Sequence, residues 1–199
     1  MQPHFLFNAL NATAALVRRD PDAAEEMIAN LSELLRLALA VRDRHEVPLE
    51  QELKHVDSYL EIERVRFGDR LVVEREIAEE ARPAYVPVLI LQPLVENAIR
   101  HGIERRAVDV GRIKITAEIA GERLRLVVTD NGPGLSSSGP ARRGHGVGLD
   151  NSRARLAALH GDGASIKLAT GPAGGCVNTI ELPLVLQPSQ LHETQSAYR

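Results

Sequence analysis

Tryptophan is missing from the 199 residues, and phenylalanine and tyrosine supply three each, so the core must be packed from aliphatic side chains. The single cysteine, Cys176, excludes an intramolecular disulfide and suits a reducing compartment. Long hydrophobic runs are missing too: none approaches the roughly 18 residues that cross a bilayer, and the first residues lack a signal-peptide pattern. A cytoplasmic chain is expected. Charge is nearly balanced, 24 Lys and Arg against 27 Asp and Glu, and the net −3 gives no reason to expect nucleic acid or an anionic membrane as a direct partner. No spacing among the seven histidines suggests a metal cluster, and His45, His55, His145, His160 and His192 read as surface or loop residues. What is present is an ordinary globular composition, 44% hydrophobic and 26% charged, in a length that suits one sizeable domain with an appendage or two small domains.

Residues 3–19 read as a helix, with Leu6, Leu10, Thr13 and Val17 on one side and Pro3 tolerated in the first turn. Asp20, Pro21 and Asp22 form a turn, and Asp20 is a good N-cap for a second helix in which Met27, Leu31, Leu34, Ala38 and Val41 follow a 4-3-4-3 spacing. A hairpin of two such helices has too little core to stand alone, so pairing with a second copy in a four-helix bundle, hence a homodimer, is expected. The charged run 42–46 is the linker. Beyond it come a short strand at 46–49, a helix at 50–66 with Leu53, Val56 and Leu60 facing inward, and an alternating strand at 71–77, then a loop at 78–84. A helix is expected from near Pro87 to Gly102, kinked or delayed by Pro93. Strands follow at 112–119 and 123–129, then a Gly-rich lid over 130–148, a helix at 150–159 and strands at 165–169 and 177–182. This order predicts an α+β fold: a helical hairpin over residues 1–43, a two-layer α/β sandwich over 46–186 with a mixed, mostly antiparallel sheet, and a disordered tail from 187.

Three stretches carry chemistry. In LQPLVENAIRHG, residues 91–102, Leu91, Val95 and Ala98 share an apolar stripe, while Asn97, Arg100 and His101 fall together on another face. An Asn amide oxygen suits Mg²⁺, which prefers oxygen donors and keeps phosphates and waters in its shell. Asp130 ends a strand just before Asn131, Gly132, Pro133 and Gly134, a placement that suits an acceptor for an exocyclic amine. Gly144, Gly146 and Gly148 alternate just ahead of a helix, where bare backbone lets N–H groups approach phosphate. Alone, the first reads equally as a half-buried helix and the last as an ordinary Gly-rich loop.

In this order the three resemble the boxes of the Bergerat-type ATP-binding domain shared by sensor histidine kinases, gyrase-type topoisomerases and Hsp90-type chaperones. The resemblance implies Mg²⁺ on Asn97, the adenine amine on Asp130, phosphate on Arg100, His101 beside the base, and Gly132, Gly134, Gly144, Gly146 and Gly148 bordering ATP under the lid. The hydrolysing branches carry a water-activating Glu one turn before that Asn; Pro93 stands there, so vigorous ATP hydrolysis is not expected, and Glu96 should point elsewhere. QPHFLFNALN at 2–11 resembles the phospho-acceptor box of LytS-like sensor histidine kinases, as do VPLEQELKHVDSYLEIERVRFGDRL from Val47 and the LQPLVENAIRHG stretch. By that resemblance His4 takes the γ-phosphate of ATP and hands it to an Asp on a response regulator, often one with a LytTR-type DNA-binding domain. Asn8, one turn on, would orient the imidazole or position a water for dephosphorylation.

Phe5 follows His4 where the common histidine kinases have an acidic residue, which is usual for the LytS-like branch. Cys176 follows Gly174 and Gly175 where such domains usually have Thr, which puts a contact at the phosphate end in question. Family members carry a long helix, and usually a membrane or other sensory region, ahead of the acceptor, so any membrane link is expected from that region and autophosphorylation of this chain is expected to be weak. Two rival readings are an ATP-gated module without phosphotransfer and a protein-serine kinase of the anti-sigma type, which has no acceptor His.

Overall fold

A computed structural model describes residues 3–40, 45–104, 110–134, 147–172 and 174–187, with backbone alone at 3, 4, 37–40, 101 and 147. Helices α1 (Pro3–Leu16) and α2 (Pro21–Ala40) form the expected hairpin, and Asp20 caps α2 by accepting the Ala23 N–H at 3.1 Å. The face that α1 buries differs from the expected one. Phe5, Ala9 and Thr13 turn inward, toward Met27, Leu31 and Leu34 of α2, whereas Leu10 and Val17 stay more than half exposed. Two apolar stripes run along α1, each with a phenylalanine, and the one carrying Phe5 packs within the chain: Phe5 lies 4.8 Å, centroid to centroid, from Tyr59. Leu10 is left outside with Phe7, Ile28 and Leu35.

The second unit opens with β1 (Glu46–Pro48) and α3 (Leu49–Phe67). Helix α3 runs along α2 and buries Leu53, Val56 and Leu60. It ends at Gly68, whose positive φ of 57° and N–H to the Arg64 carbonyl make the expected glycine cap. There follow β2 (Leu71–Ile77), β3 (Tyr85–Pro87), α4 (Gln92–Asn97), β4 (Gly111–Ala120), β5 (Arg123–Asp130), α5 (Val147–His160), β6 (Ser165–Thr170) and β7 (Cys176–Pro183). Five of these strands form one sheet in the order β2-β4-β5-β7-β6, with β2 and β4 parallel and every other pair antiparallel; β1 and β3 make a separate antiparallel pair. Alternation places Ile113, Ile115 and Ala117 of β4, and Leu124, Leu126 and Val128 of β5, on the inner face, where they meet the helices in one core. The mixed two-layer α+β sandwich is as expected.

Several local expectations are corrected. The helix does not begin near Pro87; of the two outcomes expected from Pro93 the delayed start holds, at Gln92, because Pro87 closes β3 opposite Glu46 and Leu89 takes a positive φ of 56°, which breaks the helix before it begins. Pro93 then falls in the first turn, where its missing N–H costs nothing. Helix α5 begins at Val147, three residues ahead of Asp150. A 3-10 turn, Glu79–Ala81, interrupts the loop expected at 78–84. His55 is buried, not on the surface, and the His160 side chain is 8% exposed against Glu46; His45 is exposed as expected. The lid residues 135–146, with His145, and the tail from 188, with His192, lie outside the described residues. Among the described residues no helix is long and apolar enough to cross a membrane.

Candidate nucleotide site

Asp130 ends β5 at 5% exposure, and its Oδ1 accepts the Gly132 N–H at 2.8 Å and the Cys176 N–H at 3.2 Å. Burial pushes this carboxyl above the usual aspartate range, and the two N–H donors pull the other way. Bare backbone closes in on it from three directions. A Cβ on Gly102 would stand 2.6 Å from Asp130 Oδ1, one on Gly132 2.2 Å from Gly102 Cα, and one on Gly175 1.9 Å from the Asp130 carbonyl oxygen. Glycine is required here because the end of the α4 segment and the turn after β5 meet the Asp130 carboxylate, while the β6–β7 connection lies against the Asp130 backbone carbonyl. Gly134, with φ of 75°, lies 3.0 Å by its projected Cβ from the Gly175 carbonyl. Asn131 ties this edge to β4, accepting the Arg112 N–H at 2.8 Å and donating to the Val110 carbonyl at 3.0 Å.

Asn97 closes α4 half-buried, and the chain continues into a π-helical turn, Ala98–Ile103, with the Glu104 N–H reaching the Ile99 carbonyl at 2.9 Å. A π turn widens the helix, and here it carries exposed Arg100 and brings Gly102 onto Asp130. Gly148, at the start of α5, lies 3.3 Å by its projected Cβ from Pro93 Cβ, so α5 opens beside the first turn of α4. The rings of His4 and His101 fall outside the described part of the structure, as do Gly144 and Gly146. Among the described residues no cluster of three or more His, Cys, Asp or Glu is arranged to hold a metal. A single Asn oxygen at a half-exposed helix end fits a cation that takes most of its ligands from phosphate and water.

Glu96 turns into a cleft that Arg100 lines and Asn97 does not. It is buried, accepts the Gln92 Nε2 at 2.8 Å, and is raised above the usual glutamate range by burial. The cleft it enters is shared with the hairpin: Phe5 and Asn8 of α1 line it with Tyr59, Glu63, Glu96 and Arg100. Tyr59 donates its hydroxyl to Glu63 Oε1 at 3.1 Å. The turn that carries Asn8 therefore opens onto the same cleft as Glu96 and Arg100.

Gly102, Gly175 and Asn131 shape this edge although the sequence pattern assigns them no role. The paired Gly174 and Gly175 were a visible signal; the contact of Gly102 with Gly132 was not, since it joins positions 30 apart in sequence. Cys176 sits beside Asp130, with its N–H on Oδ1. Burial, then the charge of Asp130, push the Cys176 thiol up to about 11. At pH 7.5 its thiolate fraction is on the order of a hundredfold below that of an ordinary thiol of pKa about 8.5–9. Iodoacetamide is expected to label Cys176 at least about tenfold more slowly in the native chain than in denaturant, as read by mass spectrometry; equal rates would contradict this placement.

A two-layer sandwich with an Asp–Asn–Gly–x–Gly edge facing an Asn-bearing helix defines an ATP-binding domain of the Bergerat type. Residues 86–186 match the histidine kinase-, DNA gyrase B- and HSP90-like ATPase family, and residues 1–71 match the histidine kinase family. The sensor histidine kinase YpdA of Escherichia coli K12 is 39% identical over 173 residues, 84% of this chain and 30% of its own length. BtsS of the same strain, also a sensor histidine kinase, is 39% identical over 183 residues, 92% of this chain and 32% of its own. The chain thus spans about a third of the length of the curated relatives it matches. Among solved structures, the histidine kinase domain of the blue-light activated histidine kinase EL346 of Erythrobacter litoralis shares the fold, with a TM-score of 0.55 at 20% identity over 82% of this chain and 75% of that one. The chain belongs to the sensor histidine kinases, in their LytS-like branch.

Proposed function

We propose that this chain is the kinase core of a two-component sensor, with residues 1–43 as the dimerising acceptor unit and 46–186 as the ATP-binding unit. Asp130 receives the adenine amine on Oδ2 while Oδ1 stays held by Gly132 and Cys176. Asn97 supplies an oxygen to Mg²⁺ and Arg100 meets phosphate, with His101 beside the base and Gly134, Gly144, Gly146 and Gly148 along the nucleotide. The neutral imidazole of His4 attacks the γ-phosphorus, the bond to the β,γ-bridging oxygen breaks, and ADP leaves with that oxygen. Mg²⁺, when bound, neutralises charge on the transferring group. Asn8 orients the imidazole or, in dephosphorylation of the partner, positions the attacking water. The phosphoryl group then passes to an Asp on a response regulator, of the kind that carries a LytTR-type DNA-binding domain.

The observation that carries this reading is the buried Asp130 carboxylate, fixed by two backbone N–H groups and walled by Gly102 and Gly132, with Gly175 close against the backbone carbonyl of the same residue. An aspartate pinned that way cannot swing to solvent and offers one oxygen in a dry slot sized by glycines. Exposed Phe7, Leu10, Ile28 and Leu35 on the hairpin are the face for the second copy. Titrating ATP with and without Mg²⁺ tests the site. The wild type is expected to bind ATP more tightly with Mg²⁺, and Asn97→Ala is expected to lose that gain while keeping Mg²⁺-free binding. Mg²⁺-independent affinity in the wild type would refute the role of Asn97.

A further inference from the structure

Helix α3 holds a carboxylate that the ATP-site reading does not use. Glu52 is fully buried, and its oxygens face the segment between β3 and α4. Oε1 accepts the Leu89 N–H, and Oε2 accepts those of Ile90 at 2.9 Å and Leu91 at 3.2 Å. Three successive amides converging on one carboxylate form a nest for an anion, here supplied by the protein itself. The arrangement costs the backbone something, because Leu89 takes a φ of 56°, a region non-glycine residues seldom occupy. His55 stands beside the carboxylate, Nδ1 at 3.6 Å from Oε1, and among the described residues neither of its ring nitrogens has a hydrogen-bond partner.

The position of the gripped segment gives the contact its meaning. Leu91 is the residue from which α4 starts: its carbonyl accepts the N–H groups of Leu94 at 3.0 Å and Val95 at 3.1 Å, and the helix ends at Asn97. A helix this short moves as a rod, so a rotation at Leu91 is delivered to Asn97 and to the π turn that carries Arg100. At its other face α3 packs along α2. The same helix therefore touches the hairpin on one side and holds the root of the nucleotide-site helix on the other.

We propose that Glu52 is a positioning residue: by gripping the amides of 89–91 it sets the rotation of α4, places Asn97 for Mg²⁺, and lets α3 pass a displacement of the hairpin to the ATP site. This rests on the ATP-site reading above. Asp130, on the far edge of β5, is not held by Glu52, so the base end of the site is independent of it. A role in folding alone would lower stability and leave the Mg²⁺ dependence of ATP binding untouched.

The test compares the full chain with Glu52→Gln and Asp130→Asn by ATP titration with and without Mg²⁺, alongside circular dichroism and thermal unfolding. Gln keeps the shape but replaces one acceptor oxygen with a donor, so at least one amide of 89–91 loses its partner. Folded Glu52→Gln is expected to bind ATP without Mg²⁺ as the wild type does and to lose most of the Mg²⁺ gain, about tenfold. An unchanged Mg²⁺ gain overturns the proposal. Asp130→Asn that binds ATP like the wild type overturns the site reading instead. Should Glu52→Gln not fold, amide hydrogen exchange of the wild type decides: the amides of Leu89, Ile90 and Leu91 gain protection on adding ATP and Mg²⁺, and no gain there overturns the proposal.

Discussion

Asp130→Asn is expected to weaken ATP binding by about a hundredfold or more while leaving the chain folded. Asn can still accept the Gly132 and Cys176 amides on its oxygen, so the local hydrogen bonds survive. Its NH₂ then occupies the place assigned to the free carboxylate oxygen and meets the adenine amine donor to donor. Loss of a charge-assisted bond costs about 1.5–3 kcal/mol, roughly ten- to 150-fold, and the buried unsatisfied donors add to it. Isothermal titration at pH 7.5 reads the result, and affinity within threefold of wild type would contradict the assignment. The pH dependence has a definite sign. Burial raises the Asp130 carboxyl above its ordinary 3.8, so as pH falls the carboxylate is neutralised, and ATP affinity lost, at a higher pH than for an ordinary aspartate. For folding the sign is opposite: a raised carboxyl favours the native state below its unfolded value and loses that contribution as pH rises through the native one. Asp130→Asn is therefore not expected to destabilise the apo chain at neutral pH.

Gly175→Ala is expected to do what Asp130→Asn does not, and unfold the site. The added Cβ would stand 1.9 Å from the Asp130 carbonyl oxygen, which is backbone and cannot rotate away, and the φ of 75° is strained for any L side chain. Overpacking costs about 1–3 kcal/mol and left-handed strain about 1–2 kcal/mol, a sum of roughly 2–5 kcal/mol. At about 2–4 °C per kcal/mol for a chain of this size, the unfolding midpoint should fall by about 5–20 °C. ATP binding should go with it, since the end of β5 must shift. Gly121→Ala separates the two costs: φ is 62°, but nothing lies within 4 Å of its projected Cβ. It should lower the midpoint by only a few degrees through about 1–2 kcal/mol of strain and leave ATP affinity unchanged. Equal effects of the two substitutions would show that close approach to Asp130 is not what Gly175 provides.

Much of this architecture was legible in the chain, and the limits have physical causes. Strands β4, β5 and β7 announce themselves because one face is dry and the other wet, so Ile113, Ile115, Leu124 and Leu126 alternate with charged residues. The segment 86–91 gave no such signal. Val86, Pro87, Val88, Ile90 and Leu91 are all buried, and a run buried on every side has no period by which to tell strand from helix. What divides it is the turn at Leu89, held by Glu52 from 37 residues away. Helix α1 was ambiguous for a different reason. It has two apolar stripes, and nothing local tells which meets its own protomer; the Phe5 contact with Tyr59 decides it.

The site was half legible. Asp130, Gly132 and Asn97 stand out because their chemistry and order match a known set of boxes. The walls around Asp130 do not, because a glycine needed for closeness looks in sequence like a glycine needed for a turn. Gly102 reads as a helix terminator and is in fact the point where α4's extension lies on the β5 edge. His55 shows the reverse error: without a motif around it the residue reads as a surface histidine, but position on α3 points it into the core beside Glu52.

The central claim is that ATP bound at Asp130 and Asn97 phosphorylates His4. Its most direct test incubates the chain with γ-labelled ATP and Mg²⁺, beside His4→Gln and Asn97→Ala, and then treats the labelled protein with acid and with alkali. The account predicts a slowly acquired label that survives alkali, is lost in acid, and is missing from both variants. A label that resists acid, or one that persists in His4→Gln, would contradict it.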